Sequence, residues 1–370
     1  MSRLLGGGFC FVATEPIHQE RSAMGYADMN AAYSFVVRSY ESKGALGEAL
    51  RLGTQSDIVV IGSAPEQFVT ERIAANRLTF RYSERLFRKG RWRIISPRAL
   101  KCLFWNNLRF ANKHLYLLCA SACTAGDFAM VGAFRQKAYK WGYFPEVIQH
   151  DLAALMAGKN QSQLTLLWAG RFLELKHPEK ALLVAQRLQN EGVDFVLKMI
   201  GGGPMDGRLK EMAASFGLSD RVKFTGFIPP DAVRREMESA EIFLFTSDFN
   251  EGWGAVLNEA MNSGCAVVAS HAIGSVPFLI KNGENGLVYR NDSMDDLYGK
   301  VLSLAKDPEL RARLGNNAYH TMSEQWNARV AAERLLKLSE CLLAGKDAAI
   351  LYTDGPCSVA SPKFKAERRH

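Results

Sequence analysis

Short apolar runs, each about one strand long, recur along most of the chain. In the first half they are "FCFVA", "DIVVIG", "RLTF", "WRIIS" and "LYLLCAS"; in the second they are "LTLLWAG", "FVLKMIG", "VKFTG", "EIFLFTS", "CAVVAS" and "NGLVY". Amphipathic segments such as "KALLVAQRLQNEG" and "PPDAVRREMESA" lie between the later runs. Strands alternating with one-sided helices predict an α/β fold of parallel sheets with covering helices. The pattern breaks at "WGYFPEVIQHDLAALMAGKNQSQ", where polar residues and glycine intrude. That break predicts one domain over 1–150 and a second over 151–320. Helical patterns run from about 292 to 344. The tail, 346–370, carries mixed signals and is expected to lack structure in part. No internal repeat is visible.

Composition narrows the class. A chain of 370 residues with 48% hydrophobic content can bury cores for about two domains. No run long enough to span a bilayer is free of charge. The nearest, "LYLLCASACTAGDFAMVGAF", is broken by Asp127. The opening "MSRLLGGGFC" has no long apolar core of a secretory signal. Seven cysteines, an odd number with no CxxC pair, fit a reduced, cytoplasmic setting. The net charge of +8 is uneven: residues 1–150 carry +9 and residues 151–370 carry −1. Its densest part, "RYSERLFRKGRWRIISPRALK" at 81–101, holds eight basic residues against Glu84. Such a stretch is either a solvated face or a surface for a phosphorylated acceptor or for anionic lipid headgroups at the inner face of a membrane. Nucleic acid is not expected as a partner, because no nucleic-acid motif accompanies the charge.

Three strand ends in the second half carry unusual chemistry, and ligands of open α/β sheets bind beyond such ends. In "LLWAGRFLELKHPEK", Arg171 leaves the strand and Lys176 follows; two cations there suit a diphosphate, or are merely solvated. In "VLKMIGGGPMDG", Gly201, Gly202 and Gly203 follow a strand, either as a tight turn or as a close backbone approach to a ligand. This is neither GxGxxG nor a P-loop. In "EIFLFTSDFNEGWGAVLNEAMNSG", the strand ends at Phe245 and a helix is expected after Gly254, with Gly264 at its C-terminal cap. Glu251 lies before that helix, and Glu259 is expected about two turns along it. A carboxylate at either place has an ordinary reading, as helix-start electrostatics for Glu251 and a solvated face for Glu259. An ionised carboxylate also accepts hydrogen bonds from a pair of ligand hydroxyls.

Taken in order, Arg171 with Lys176, the Gly201–Pro204 turn, "FTGFIP", Glu251-x7-Glu259 and "GSVPFLIKNGENGLVY" resemble the C-terminal domain of retaining family 4 (group 1) glycosyltransferases. The resemblance is strong over about 164–290 and looser over 57–150. It implies the GT-B fold, with two Rossmann-like domains facing across a cleft, and a C-terminal helix over 321–345 crossing back to the first domain. It implies a nucleotide-sugar donor such as a UDP- or GDP-sugar, and transfer with anomeric retention. Arg171 and Lys176 look like the diphosphate clamp, Glu251 like the contact to sugar hydroxyls and Glu259 like the ribose ligand. Gly170, Gly202, Gly203, Gly252, Trp253 and Gly254 would line sugar and phosphate; Phe227 and Ile228 would border the base. No DxD stands at a strand end, so no metal and no other cofactor is expected. "KHPEKAL", "YKWGYFPE" and "YTDGPCS" look most like capsular or exopolysaccharide transferases, whose acceptors are glycans or lipid-linked sugars.

Two features depart from that family. Its members usually open with a strand and a glycine-rich loop, whereas "MSRLLGGGFCFVATEP" resembles a later segment, so the first domain is expected to lack its first strand. Many members also carry a first-domain histidine near the reacting centre. Neither His18 nor His114 has that context, and Tyr82, Ser83 and Glu84 at a strand end are the substitutes. The alternatives are therefore an inactive donor-binding homologue, a basic peripheral membrane scaffold, or an epimerase of the same fold.

Overall fold

A computed structural model describes residues 1–18, 27–88, 90, 96–159 and 163–362. Most of the expected strand "WRIIS" lies outside these residues. The chain forms two compact units. One comprises Met1–Gly142 and the segment from Arg329; the other is Tyr143–Ala328. The division falls before residue 150 because the connecting segment is tied to the second unit. Asn258 donates to the carbonyl of Tyr143, the Ile148 N–H to Asn262 and the His150 N–H to the Tyr319 hydroxyl.

In the first unit, β1 (Phe11–Ala13) and β2 (Val36–Arg38) form a parallel pair. A separate parallel sheet follows in the order β3 (Val59–Ile61), β4 (Thr79–Ser83), β5 (Leu115–Cys119), β6 (Ala138–Lys140). Counting helices of five residues or more, its helices are α1 (Lys43–Gln55), α2 (Thr70–Ala74), α3 (Pro97–Asn106) and α4 (Thr124–Met130). The side chain of Ser42 caps α1 by accepting from the Ala45 N–H, and proline stands in the first turn of α3. Arg72 on α2 is fully buried without a carboxylate. It donates instead to Thr79 and to four backbone carbonyls, and burial lowers its pKa to about 10.

The second unit holds a six-stranded parallel sheet. Its strands are β7 (Leu164–Ala169), β8 (Phe195–Ile200), β9 (Val222–Gly226), β10 (Ile242–Phe245), β11 (Ala266–Ser270) and β12 (Leu287–Tyr289), in the spatial order 12-11-10-7-8-9. These are the six runs read from the second half of the sequence. The side chains of β7, β8, β10, β11 and β12 are almost wholly buried, as befits a parallel sheet covered on both faces, whereas the edge strand β9 buries only Val222. The covering helices are α5 (Leu152–Gly158), α6 (Glu179–Asn190), α7 (Asp206–Ser215), α8 (Pro230–Ser239), α9 (Val256–Asn262), α10 (Met294–Lys306) and α11 (Pro308–His320). Connections run outward in both directions from β7 and β10. The crevice between these two neighbours is the topological switch point, where α/β sheets place their ligands.

Helix α12 (Ala328–Leu343) returns to the first unit, where Leu335, Leu338 and Leu342 pack with Leu78, Phe80, Leu118 and Tyr139. The described part of the tail beyond this helix is tied to the first unit's sheet. The Cys357 N–H donates to the carbonyl of Lys140, the Lys140 N–H to that of Ser358 and the Ala360 N–H to that of Ala138. The segment thus covers the edge strand β6. Arg334 holds it by donating to the carbonyls of Asp354 and Pro356, with its guanidinium 4.5 Å from the Tyr352 ring centroid.

Candidate functional site

Every residue named for donor binding lies in the second unit, on loops leaving the carboxyl ends of β7, β8, β9 and β10 or on α9. The loops after β7 and β10 flank the switch point and are laced together. The Thr246 hydroxyl donates to the carbonyl of Lys176 and accepts from the Trp168 indole; the Asp248 N–H donates to the carbonyl of Leu175. At their centre the Lys176 ammonium donates to Glu251 at 2.6 Å, and the Ser247 hydroxyl donates to the same oxygen at 2.9 Å. The side chains are 17% and 13% exposed, so the pair is shielded well enough for each charge to depend on the other. Arg171 differs: its side chain is exposed and has no ion pair among the described residues. The fold thus offers one cation held by a carboxylate and one uncommitted cation at the same strand end.

The glycines serve close backbone approach. A Cβ on Gly201, at φ +124°, would come within 1.9 Å of the Gly170 carbonyl oxygen. The Gly201 and Gly203 N–H groups are already engaged, donating to the Gly226 carbonyl and the Asp206 carboxylate. Gly202 is buried and faces the Phe227 ring, while Phe227 itself is 64% exposed, a large apolar surface left open. Ile228 is half-buried beside it. At Gly254, φ is +76° and a Cβ would meet the Phe245 ring at 2.3 Å, so only glycine fits there.

One placement differs from expectation. Helix α9 begins at Val256, so Glu259 stands in its first turn rather than two turns along. The loop 251–255 takes up the difference. Burial pushes the Glu259 carboxyl up, and the Arg234 guanidinium on α8 pulls it partly back. Arg234 in turn donates to Asn262 on α9. Trp253 does not face outward. Its indole is 1% exposed, donates to Asn258, and packs with Tyr143, Phe278 and Trp326. Only its backbone, with that of buried Gly252, remains for a ligand.

The sequence reading missed His177. It holds a left-handed backbone at φ +47°, and its ring lies 2.8 Å from Glu179 and 3.5 Å from Asp248. Hydrogen bonds to Asp248 and Glu179 push its pKa up to about 9 against burial and nearby Lys180. Burial would raise both carboxyls, but hydrogen bonds from His177, joined by the Glu179 N–H and Lys180 at Glu179 and by Asn250 at Asp248, together hold them below the usual range. The signal was the KHPEK run itself, whose spacing does not reveal Asp248 as a partner. Among the described residues, no three His, Cys, Asp or Glu side chains are grouped to hold a metal.

The first-unit substitutes stand where the pattern put them. Tyr82 and Ser83 close β4; the Ser83 hydroxyl donates to the carbonyl of Glu84, and Glu84 pairs with Arg88 at 3.4 Å.

Residues 156–321 match the family model of glycosyl transferases group 1. An alpha-D-kanosaminyltransferase of Streptomyces kanamyceticus is 30% identical over 173 residues, covering 46% of this chain and 44% of that protein. A GDP-mannose-dependent alpha-(1-6)-phosphatidylinositol monomannoside mannosyltransferase of Mycolicibacterium smegmatis is 28% identical over 174 residues, covering 45% of each. The chain thus spans less than half the length of these curated relatives. Anabaena Alr3699/HepE, solved in complex with UDP, superposes with a TM-score of 0.60 at 16% identity, over 82% of this chain and 85% of that one. A glycosyltransferase from Rickettsia africae gives 0.60 at 15% identity, over 82% and 83%. At these identities the structures establish a shared fold, GT-B, with a parallel sheet in each of two domains. The family match is thus confined to residues 156–321 of the second unit, and the solved structures show the GT-B fold.

Proposed function

We propose that the chain moves a sugar from a nucleoside-diphosphate sugar to a glycan or lipid-linked acceptor with retention of anomeric configuration. The observation that carries this reading is the Lys176–Glu251 pair beside exposed Arg171 at the switch point. When the glycosidic bond breaks, negative charge grows on the leaving diphosphate. Cations already fixed at a strand end stabilise that charge more than they stabilise the substrate, which is what lowers a barrier. Arg171 supplies a planar fork and Lys176 a point charge, so the reaction needs no metal on this reading. Glu251, anchored by Lys176 and Ser247, is oriented to accept from sugar hydroxyls. Glu259 accepts from the ribose hydroxyls, a role that suits a half-buried carboxyl that has Arg234 nearby but no ion pair among the described residues. Phe227 offers an apolar face to the base. The curated relatives' transferase activities and the UDP bound to Alr3699/HepE support the donor class.

A thermal-shift series with UDP, GDP and ADP tests the donor. Saturation at a hundredfold excess over Kd adds about 2.7 kcal/mol of stability. Arg171→Ala should remove the shift, and Glu259→Ala should weaken binding roughly 10- to 100-fold, the value of a charge-assisted hydrogen bond. No shift with any nucleotide overturns the reading. Binding without transfer or donor hydrolysis assigns donor capture alone. The anomeric proton of a product tests retention, and activity surviving EDTA tests the metal-free step.

A further inference from the structure

The structure redistributes the basic stretch of the first unit. Arg81 is buried and paired with Glu66, Arg85 is paired with Asp127 and Arg88 with Glu84. Lys89, Arg91 and Arg93 lie outside the described residues. The open positive charge that can be placed begins instead at α3. From Pro97 to Lys113 the chain carries four basic residues and no acidic one. Arg98, Lys101 and Arg109 are exposed and have no ion pair among the described residues.

The same helix exposes large apolar side chains. Leu100 is 43% exposed, Phe104 50% and Trp105 47%, whereas Leu103 points into the core. Leu100 and Phe104 stand one turn apart and share a stripe; Arg98, Lys101 and Trp105, spaced three and four residues apart, form the stripe beside it. The Arg109 guanidinium lies 4.7 Å from the Trp105 ring centroid, so cation and indole are presented together. Solvated cations alone would explain a charged face, but not a Leu–Phe stripe left in water on the same helix.

We propose that α3 is an interfacial helix that seats the first unit on an anionic lipid surface. Leu100 and Phe104 enter the boundary of the acyl chains, Trp105 lies at headgroup level, and Arg98, Lys101 and Arg109 meet lipid phosphates. Nucleic acid would use the cations and the indole but has no use for the aliphatic stripe, so the bilayer is the better complement. This inference stands apart from the donor site, since it uses no residue of the second unit.

Full-length protein is sedimented with vesicles of phosphatidylcholine alone and with phosphatidylglycerol added. Binding is expected only to the anionic vesicles, falling as salt rises. Lys101→Glu should weaken it by more than the roughly fivefold expected for loss of one surface cation. Phe104→Ser with Trp105→Ser should abolish it while the thermal melt stays unchanged, because both side chains are exposed. Bromine-labelled lipid should quench part of the tryptophan emission, and Trp105→Phe should remove that part. Equal binding to neutral vesicles, no binding to either, quenching that survives Trp105→Phe, or single-stranded RNA that is bound more tightly than the vesicles and lost in Lys101→Glu would each overturn the proposal.

Discussion

Lys176 and Glu251 show how a single pair can serve both stability and chemistry. Each is mostly withdrawn from water, so removing one strands the other. Lys176→Ala should destabilise the second unit by about 3 kcal/mol, whereas Lys176→Met with Glu251→Gln should recover much of that loss. Urea melts of the three proteins check this; equal destabilisation by the single and double changes would show that the pair does not act as a unit. His177 gives the neighbouring loops a pH dependence. Its folded pKa, about 9, lies above its ordinary 6.5. The stabilisation it contributes is therefore complete below about 6.5 and is lost as pH rises through about 9. Melting temperature should fall between pH 7 and 10 in the native protein. The fall should be smaller in His177→Gly, which keeps the left-handed backbone at no steric penalty. Neither cluster could be completed from sequence alone. Lys176 and His177 find partners some seventy residues away, across strands whose adjacency is a property of the sheet.

At the scale of elements, legibility followed burial. The inner strands of the second unit, β7, β10 and β11, are buried on both faces and appear as nearly continuous apolar runs, while the edge strand β9, "VKFTG", is mostly exposed. By contrast β2 and β6 are three-residue strands, "VVR" and "AYK", with no such run to announce them. The packing of the Trp253 indole was not legible either, because Tyr143, Phe278 and Trp326, which close around it, are distant in sequence. The placement of residues 346–362 was not legible, because it comes from pairing with β6 and from Arg334 rather than from the segment's own composition. Arg334→Ala removes two carbonyl contacts and a ring contact, and should loosen that segment by about 1–3 kcal/mol. Cys357, buried there with its thiol pushed up to about 12, should then react with a thiol reagent that leaves it untouched in the native protein. Unchanged labelling at Cys357 would mean the segment is held by the sheet edge alone.

Across the whole molecule, the two units should respond separately to a nucleotide. A nucleoside diphosphate should slow amide exchange in the loops after β7, β8 and β10 and leave β3–β6 unchanged, as hydrogen-exchange mass spectrometry can read. Uniform protection, or protection confined to the first unit, would move the donor site elsewhere. The return of α12 bears on how this protein is made. Part of the cover over Phe80 on β4 and Leu118 on β5 comes from Leu335, Leu338 and Leu342 on α12, and from Ala348 and Cys357 after it. A ribosome adding 5–20 residues per second takes roughly 10 to 40 s to pass from Gly142 to Arg329. Throughout that interval Phe80 and Leu118 have emerged without that part of their cover, while the later-made unit already holds nearly all of its own sequence. The unit synthesised first is therefore the one finished last, and its half-built sheet is the stage of biogenesis most in need of a chaperone.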